Sequence, residues 1–399
     1  MRTCLITPAL ASVIGLVTPT SEVVFPGTEE AGPDAPSALY RIPAVLPAAG
    51  GPLLAFAELR PALADNGTND LVVSSSLDAG ATWSAPRVIA DVPGRSLNNP
   101  CGVHVSRGLH AGRTLVMFQS YPTGCGEACV QPGVTGDKIC QTLVIHSDDQ
   151  GATWSAPRDI TAGTKRPTVA TSVASGPGVG IQLTVGTHAG RILVPFNEGP
   201  YGTWRVYAAW SDDGGDTWSF GAPAPDGSPG RGNEVQAVER PDGSILMVSR
   251  QFGGGARRKS TVSRDGGATW SPLMTVPALV DPSCMGGLAA RTVGGRQTIV
   301  CSGPGSPTAR VDGTLWASFD GGVTWPASVR IADGPFAYSV PVFLDDHRVG
   351  VLYEIDRTGT IAFAAVDVPK PPATAPSAPP APTAPTATTP SAPTPPPDR

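Results

Sequence analysis

A positively charged side chain stands in a segment that otherwise has the pattern of a buried strand. The segment is SALYRIPAVL, residues 37–46, and Arg41 is its only charged residue. A guanidinium leaves water at a high cost in free energy unless it is paired and hydrogen-bonded. The sequence therefore predicts that an anionic group meets Arg41 inside the fold.

Two further residues have side chains suited to chemistry. Tyr338 lies among apolar residues in FAYSVPVF, where the ordinary interpretation is core packing with a hydrogen-bonded hydroxyl. Asp65 lies in the loop ALADNGTND, which favours either a turn residue or an acid that approaches a ligand. Asp70 closes the same loop, but it directly precedes the strand-like LVVSS and is the weaker candidate.

Five other aspartates belong to a repeat, Ser-x-Asp-x-Gly-x-Thr-Trp. Its copies are SLDAGATW (76–83), SDDQGATW (147–154), SDDGGDTW (211–218), SRDGGATW (263–270) and SFDGGVTW (318–325). In this pattern the carboxylate accepts N–H bonds of its own turn, the glycine supplies a positive φ, and the tryptophan covers the turn. Since an active site needs its acid once, we interpret five carboxylates as structural: Asp78, Asp149, Asp213, Asp265 and Asp320.

The repeat also predicts the architecture. Each copy follows a strand-like run, and successive copies are 52 to 71 residues apart. That spacing is typical of one supersecondary unit per repeat, most simply a four-stranded propeller blade. Allowing for one blade without the repeat, closed by strands from both ends of the chain, we predict an all-β, six-bladed β-propeller with five such hairpin turns. The 48 glycines and 44 prolines suit short strands joined by tight turns.

The two ends of the chain differ in composition from the middle. Residues 1–20 have the character of a weak secretory signal, with an ordinary first strand as the alternative. Residues 21–368 are expected to form the propeller. Residues 369–399, rich in Pro, Ala and Thr, are expected to be a disordered tail or a semi-rigid spacer. We therefore expect a secreted, cell-surface or periplasmic protein.

Charge and cysteine content exclude several classes of function. The 28 basic and 33 acidic residues give a net charge of −5, which argues against a nucleic-acid-binding protein. No later run is long and apolar enough to span a bilayer. If Cys4 leaves with a leader, six cysteines remain, which is compatible with up to three disulfides of open pairing. Cys125 and Cys129 lack a matching histidine pair, so no metal site is predicted.

The segments that occur once resemble, in order, the motifs of bacterial exo-α-sialidases, whose repeat is called the Asp box and whose first blade carries a RIP motif. The resemblance runs from about residue 38 to 367 and rests on YRIPAVL, LLAFAELRPALADNG, GPGVGIQL, HAGRILVPFNEG, NEVQAVERPDGSILMVSR, SPTARVDGTLWASFDGG, FAYSVPVF and VGVLYE. Several independent motifs in the right order make it specific.

This resemblance implies a role for each residue in these motifs. Arg41, Arg250 and Arg310 would grip the carboxylate of a sialic acid, because the arginine fork matches a carboxylate. The resemblance also implies that Glu354 orients Arg41 and that Arg60 binds the substrate. Tyr338 would be the nucleophile, Glu234 its base, and Asp65 the acid/base. A tyrosine suits this carbon, since a carboxylate nucleophile would be repelled by the sugar's own carboxylate.

The implied activity is hydrolysis of terminal α-linked sialic acids from sialylated glycans, with retention, through a covalent tyrosyl intermediate and without a cofactor. A trans-sialidase would share that intermediate and differ in its acceptor. A non-catalytic sialic-acid-binding propeller would keep the arginines but would need neither Tyr338 nor Glu234. Met285 stands where many relatives have glutamine, which predicts fewer hydrogen bonds near the sugar.

Overall fold

A computed structural model describes residues 21–28, 38–48, 50–356 and 358–371 of this 399-residue chain. Within these residues the chain forms six sheets of four or five strands, arranged as the blades of a propeller. The described helical segments are two single 3₁₀ turns, Thr161–Gly163 and Gly186–His188. The predicted all-β, six-bladed architecture is confirmed. The predicted leader and residues 372–399 of the predicted tail lie outside the described residues.

The blades follow one another along the chain, except that the first described strand, β1 (Ser21–Phe25), belongs to the last blade. Blade one contains β2 (Leu39–Pro47), β3 (Leu53–Arg60), β4 (Asp70–Ser76) and β5 (Arg87–Ala90). Blade two contains β6 (Arg95–His104), β7 (Thr114–Pro122), β8 (Gln141–Ser147) and β9 (Arg158–Asp159). Blade three contains β10 (Val173–Ser175), β12 (Ile181–Gln182), β13 (Ile192–Glu198), β14 (Arg205–Ser211) and β15 (Ser219–Phe220), while β11 (Gly178–Val179) adds to blade two in parallel with β6.

The second half of the ring is more regular. Blade four contains β16 (Arg231–Glu239), β17 (Ile245–Phe252), β18 (Arg257–Ser263) and β19 (Met274–Val280). Blade five contains β20 (Leu288–Val293), β21 (Arg296–Pro304), β22 (Val311–Ser318) and β23 (Ala327–Pro335). Blade six contains β24 (Ser339–Phe343), β25 (Arg348–Ile355) and β26 (Thr360–Asp367), with β1 pairing antiparallel to β26. As predicted, strands from both ends of the chain close this blade.

The hydrophobic core lies between neighbouring blades. Leu46 and Phe56 of blade one, for example, share a buried cluster with Val116 and Phe118 of blade two. These side chains are fully or almost fully removed from water, and burial of that kind is the main favourable contribution to folding. The packing makes each blade depend on the next and holds the strands in a rigid ring.

The five Asp-box turns have one common structure. Each joins the third strand of its blade to the fourth. The serine hydroxyl and the threonine N–H donate to one aspartate oxygen at 2.7–2.9 Å, and the threonine hydroxyl donates to the other at 2.5–2.6 Å. The repeat glycines have positive φ in every turn, with values from 83° to 100°. Each carboxylate is therefore satisfied within its own turn.

Antiparallel pairing within the blades defines two opposite edges of the ring. At one edge, which we call the cavity edge, the first strand of each blade starts, the second strand ends and the third strand starts. The third strand ends at the other, which carries the Asp-box turns and which we call the Asp-box edge. Each of the six blades can thus place residues at the cavity edge, from the start of its first strand, the end of its second strand or the start of its third strand.

The cysteines form fewer bridges than their number allows. Within the described residues, one disulfide joins Cys125 to Cys129, and four cysteines are buried free thiols: Cys101, Cys140, Cys284 and Cys301. No helix in this part of the chain is long and apolar enough to cross a bilayer.

Candidate active site

A cavity of about 480 Å³ opens at the cavity edge. All eight residues singled out for chemistry or substrate binding lie at this edge. They come from the starts of first strands, the ends of second strands and the loops that connect second to third strands: Arg41, Glu234, Tyr338, Arg60, Arg250, Glu354, Asp65 and Arg310. Five of them line the cavity directly: Arg60, Asp65, Glu234, Arg250 and Tyr338.

Three first strands carry a β-bulge at this edge. Regular pairing is interrupted between Arg41 and Ala44 in β2, between Asn98 and Cys101 in β6, and between Gly232 and Val235 in β16. A bulge inserts an extra residue, leaves its backbone unpaired and re-aims the neighbouring side chains. In β2 the positive φ of Ile42 (59°) frees its N–H to meet a side chain from blade six.

That side chain is Glu354, which also forms an ion pair with Arg41. Arg41 Nε lies 3.2 Å from Glu354 Oε1, and the N–H of Ile42 donates to the same oxygen at 2.8 Å. Burial alone would lower the pKa of Arg41. Glu354, Tyr338 and Asp65 together outweigh that effect, and the pKa is raised above the ordinary arginine value. The predicted anionic partner inside the fold is therefore present, donated by the blade that closes the ring.

Tyr338 is the centre of the arrangement. Its hydroxyl donates to Glu234 Oε1 and accepts from Arg250 Nη1 at 2.9 Å. The guanidinium carbons of Arg41 and Arg310 lie 5.3 and 5.4 Å from the centre of the Tyr338 ring. Guanidinium groups from blades one, four and five thus surround one phenol from blade six.

The protonation state of Tyr338 follows from this environment. Burial, and then the carboxylate of Glu234, raise the pKa of Tyr338 well above its ordinary value, although the three arginines oppose the shift. The side chain is consequently a neutral phenol at ordinary pH. Glu234 is itself buried, bonded to Arg250 Nη1 at 2.8 Å, and correctly placed to accept the phenolic proton.

Asp65 is the exposed acid of the site. Its side chain is 77% exposed, and Oδ1 lies 2.7 Å from Arg60 Nη1 and 3.4 Å from Arg41 Nη1. Although the side chain reaches solvent, the protein around the carboxyl group partly desolvates it, which acts to raise the pKa; Arg60 and then Arg41 outweigh that effect and the pKa of Asp65 is lowered. Asp65 is therefore a carboxylate that pairs with Arg60 and Arg41.

Sequence reasoning missed Glu58, which holds Arg60. Glu58 is fully buried, and its Oε2 accepts from Arg60 at 2.5 and 2.7 Å, while Oε1 accepts the N–H of Asn99 at 2.7 Å. Burial raises the pKa of Glu58 even though Arg60 opposes the shift. The signal that singled out Arg41, a charge inside an apolar strand, is also present in LLAFAELR and could have found this residue.

A second acid lines the cavity without having been predicted. Glu127 Oε2 accepts from Trp204 Nε1 at 3.0 Å, and burial raises the pKa of Glu127 to about 7. Tyr201 and Phe252 pack edge to face against Trp204, with ring centres 5.1 and 5.0 Å away. These residues come from three blades and carry no common spacing, so no sequence signal pointed to them.

The segment after β19 supports two arginines through Ser283. Its Oγ accepts from Arg250 Nε at 3.4 Å, and its carbonyl accepts from Arg310 Nη2 at 3.2 Å. Met285 lies in the same segment, two residues after Ser283. Met285 is fully buried in the cluster that includes Tyr338, and it is not among the residues that line the cavity. Its thioether replaces hydrogen-bonding capacity in the core beneath the site.

The described residues hold no group of three or more His, Cys, Asp or Glu side chains clustered closely enough to bind a metal ion. The cavity does bring together carboxylates, guanidiniums, amides and three phenols, and of these phenols Tyr338 is hydrogen-bonded to both a carboxylate and a guanidinium. Such a set can bind an anion, transfer protons and form a bond through the phenolic oxygen.

Comparison with known proteins identifies the family of this chain. Residues 51–351 match the family described as "BNR repeat-like domain". A sialidase of Micromonospora viridifaciens is 32% identical over 329 residues, which cover 79% of this chain and 50% of that protein. This chain thus spans half the length of that relative.

Solved structures show the same fold. The Hadza microbial sialidase Hz136 has a TM-score of 0.73 at 28% identity, over 83% of this chain and 66% of that one. A leech intramolecular trans-sialidase, complexed with 2,7-anhydro-Neu5Ac, also has a TM-score of 0.73, at 21% identity over 88% of this chain and 70% of its own. At that lower identity the likeness supports the fold alone.

Proposed function

We propose, on the premise that this chain belongs to the family of BNR repeat-like domains, that it is a retaining exo-α-sialidase acting on terminal α-linked sialic acids of glycans. The observation that carries the proposal is the set of three guanidiniums, Arg41, Arg250 and Arg310, around the ring and hydroxyl of Tyr338. Its named relatives among known proteins include sialidases.

The arginines suit a substrate with a carboxylate on its reacting carbon. Arg310 donates to the backbone carbonyl of Ser283, so that bond leaves its positive charge available to a ligand. Arg41 is held in place by Glu354 and Arg250 by Glu234, which keeps the forks oriented before a ligand arrives. Each charge-assisted hydrogen bond of this kind contributes about 1.5–3 kcal/mol.

The first chemical step would form a bond between Tyr338 and the anomeric carbon. The phenolic oxygen attacks that carbon while Glu234, which already accepts its hydrogen bond, takes the proton. Asp65 gives a proton to the glycosidic oxygen, the bond to the leaving group breaks, and the aglycone departs as an alcohol. A neutral phenol approaches this carbon without the repulsion that a carboxylate would meet.

The second step would release the sugar with retained configuration. Asp65, now a carboxylate, takes a proton from water, whose oxygen attacks the anomeric carbon as the bond to Tyr338 breaks. Glu234 returns its proton to the phenolate. The site is then as it was at the start, with one glycosidic bond hydrolysed by one water.

Asp65 has to be protonated for the first step, and we expect the bound ligand to bring this about by changing the surroundings of its carboxyl group. In the structure its carboxylate contacts Arg41 at 3.4 Å, a position in which the carboxylate of a bound sialic acid competes for the same guanidinium. A ligand that neutralises Arg41 and covers Asp65 weakens one of the interactions that lower the pKa of Asp65 and adds burial, which raises it, while the bond to Arg60 stays. Binding would thereby raise the pKa of Asp65 and favour its protonated form.

We also propose that the protein is exported. Its Cys125–Cys129 disulfide supports this, because disulfides persist in oxidising compartments.

The proposal is tested by fluorophore release from 4-methylumbelliferyl α-sialoside. Tyr338→Phe should lower release by about a hundredfold or more, because it removes the nucleophilic oxygen, while binding of an unsaturated sialic-acid analogue is largely kept. Tyr207→Phe is the matched control, since it removes a buried hydroxyl of blade three that donates to the carbonyl of Thr164, and Tyr207 is not among the residues that line the cavity. Binding without release by the unchanged protein would favour a non-catalytic propeller.

Product analysis by proton NMR separates hydrolysis from intramolecular transfer. Free sialic acid that first appears as the α-anomer supports retaining hydrolysis. A 2,7-anhydro product, the compound bound in the leech trans-sialidase, would assign the chain to that reaction instead.

A further inference from the structure

We propose that the disulfide-closed loop Cys125–Cys129 is a positioning element for the acid/base Asp65, so that breaking the disulfide selectively weakens proton donation to the leaving group. This inference rests on the proposed sialidase function. The loop follows β7 of blade two, and Glu127 within it lines the cavity.

The loop is joined to the segment that carries Asp65 by a reciprocal pair of hydrogen bonds. The N–H of Gly124 donates to the carbonyl of Asn66 at 2.9 Å, and Asn66 Nδ2 donates to the carbonyl of Gly124 at 3.4 Å. Asn66 directly follows Asp65 in the chain, and both line the cavity. The backbone next to the carboxyl group is therefore tied to Gly124 on one side, and Asn69 and Asn98 hold the Asp65 carbonyl on the other.

The same loop is held on its other side by blade three. Trp204 Nε1 donates to Glu127 Oε2 at 3.0 Å, and Trp204 is itself packed between Tyr201 and Phe252. The disulfide fixes the distance between these two attachments, because Glu127 lies inside the closed ring and Gly124 immediately precedes it. The loop thus bridges blade one to blade three across the mouth of the cavity.

The disulfide is open to chemical reduction, whereas the other described cysteines have no bond to reduce. Cys129 is exposed, and the free thiols Cys101, Cys140, Cys284 and Cys301 are buried. A phosphine reductant breaks the sulfur–sulfur bond by two-electron transfer; two protons complete two thiols, and the phosphine becomes its oxide with oxygen from water. The reaction requires nothing from the active site.

Leaving-group dependence distinguishes a displaced acid from a generally damaged enzyme. A methylumbelliferyl group departs with little protonation, whereas the alcohol of sialyllactose needs a proton from Asp65. Because general acid catalysis is worth 10²–10⁴-fold, partial displacement should lower kcat/KM for sialyllactose by about tenfold and that for the aryl sialoside by less than about twofold. A purely structural defect would lower both alike.

The experiment compares both substrates for the oxidised protein, the phosphine-reduced protein and the double variant Cys125→Ser/Cys129→Ser. The reduced protein and the double variant should show the same selective loss, and the phosphine should have no further effect on the double variant. Melting temperatures are measured on the same samples, so that kinetics are taken where each protein is folded. Equal losses on the two substrates, or no loss, would overturn the inference.

A second variant tests the link without touching the disulfide. Asn66→Ala removes the bond from Nδ2 to Gly124 and should reproduce the selective loss on sialyllactose. In combination with the double cysteine variant it should add little, because both act through one contact. Fully additive losses contradict the proposal. If the oxidised protein cleaves neither substrate, the proposed function fails and this inference falls with it, whereas activity that is insensitive to reduction removes only the inference.

Discussion

The two edges of the propeller use the same residue types in opposite ways. At the Asp-box edge, five aspartates bond to serine and threonine within two to four residues in sequence. At the cavity edge, Glu354 bonds to Ile42 across 312 residues and Glu234 accepts from Tyr338 across 104. Carboxylates satisfied by their own turn hold the fold, and those satisfied across blades form the site.

The comparison explains why repetition and function separate in this molecule. An Asp-box turn recurs because each blade needs a closing hairpin and the turn contains all of its own hydrogen bonds. The cavity edge cannot repeat, because Tyr338 needs one base and three cations, and these come from blades one, four and five. Variants at the two edges should accordingly differ in what they damage.

The largest effect is expected for Glu234→Gln. The amide cannot take the proton of Tyr338, so kcat should fall by about 10²–10⁴-fold, the range for loss of a general base. Steady-state kinetics on the aryl sialoside measure it. A change of less than tenfold in a folded variant would show that Tyr338 does not depend on this carboxylate.

A smaller effect is expected for Arg310→Lys. Lysine keeps the charge but loses the planar fork that binds both oxygens of a carboxylate, so KM should rise by about tenfold with a smaller change in kcat. Arg264→Lys at the Asp-box edge is the matched control, because its side chain is 75% exposed and pairs with Asp242 at the surface. Equal effects of the two variants would contradict the division between the edges.

Ser283→Gly should be milder still. Glycine accommodates the positive φ of 63° at this position and keeps the carbonyl that Arg310 contacts, while the Oγ that Arg250 contacts is lost. We expect a rise in KM of about threefold, since one long hydrogen bond to a charged group is removed. Titration with the unsaturated analogue measures the same change in affinity, and an unchanged affinity would exclude a role for this hydroxyl.

At the Asp-box edge, Asp149→Asn should change activity by less than about twofold and act on stability instead. Hydrogen bonds from Thr153 lower the pKa of Asp149 from 3.8 to about 2. Because the folded-state pKa is depressed, the carboxylate stabilises the fold above pH 3.8, and this contribution is lost as the pH falls through about 2. Denaturant unfolding of both proteins should therefore differ at pH 5 and converge towards pH 2. If the difference in the free energy of unfolding grew on acidification instead, it would contradict this prediction.

Much of the fold was predictable from the sequence because the turns that separate its strands are formed by short local motifs. The turn chemistry of the Asp box lies within eight residues, and its spacing gave one blade per copy; the box-less sixth blade followed from closing the ring with both chain ends. The site residues were found through motif resemblance, and one of them, Arg41, also through the cost of burying its charge. The structure brings all of them to one edge.

What could not be predicted depends on contacts between blades. Glu127 meets Trp204 across 77 residues. Ser283, in the connection between blades four and five, meets Arg250 of blade four and Arg310 of blade five. Which cysteines pair is likewise a question of proximity in the fold. The burial of the Met285 side chain was not predictable either, because Ser283, its neighbour in sequence, contacts the arginines.

The most direct test of the account is to identify the residue that bonds to the sugar. The protein is incubated with a 2,3-difluorosialic acid, which slows turnover of the covalent intermediate, and its peptides are analysed by mass spectrometry. The account predicts an adduct on the peptide that contains Tyr338, at Tyr338 itself, and none in Tyr338→Phe. An adduct on an aspartate or glutamate, in particular on any Asp-box residue, would contradict it.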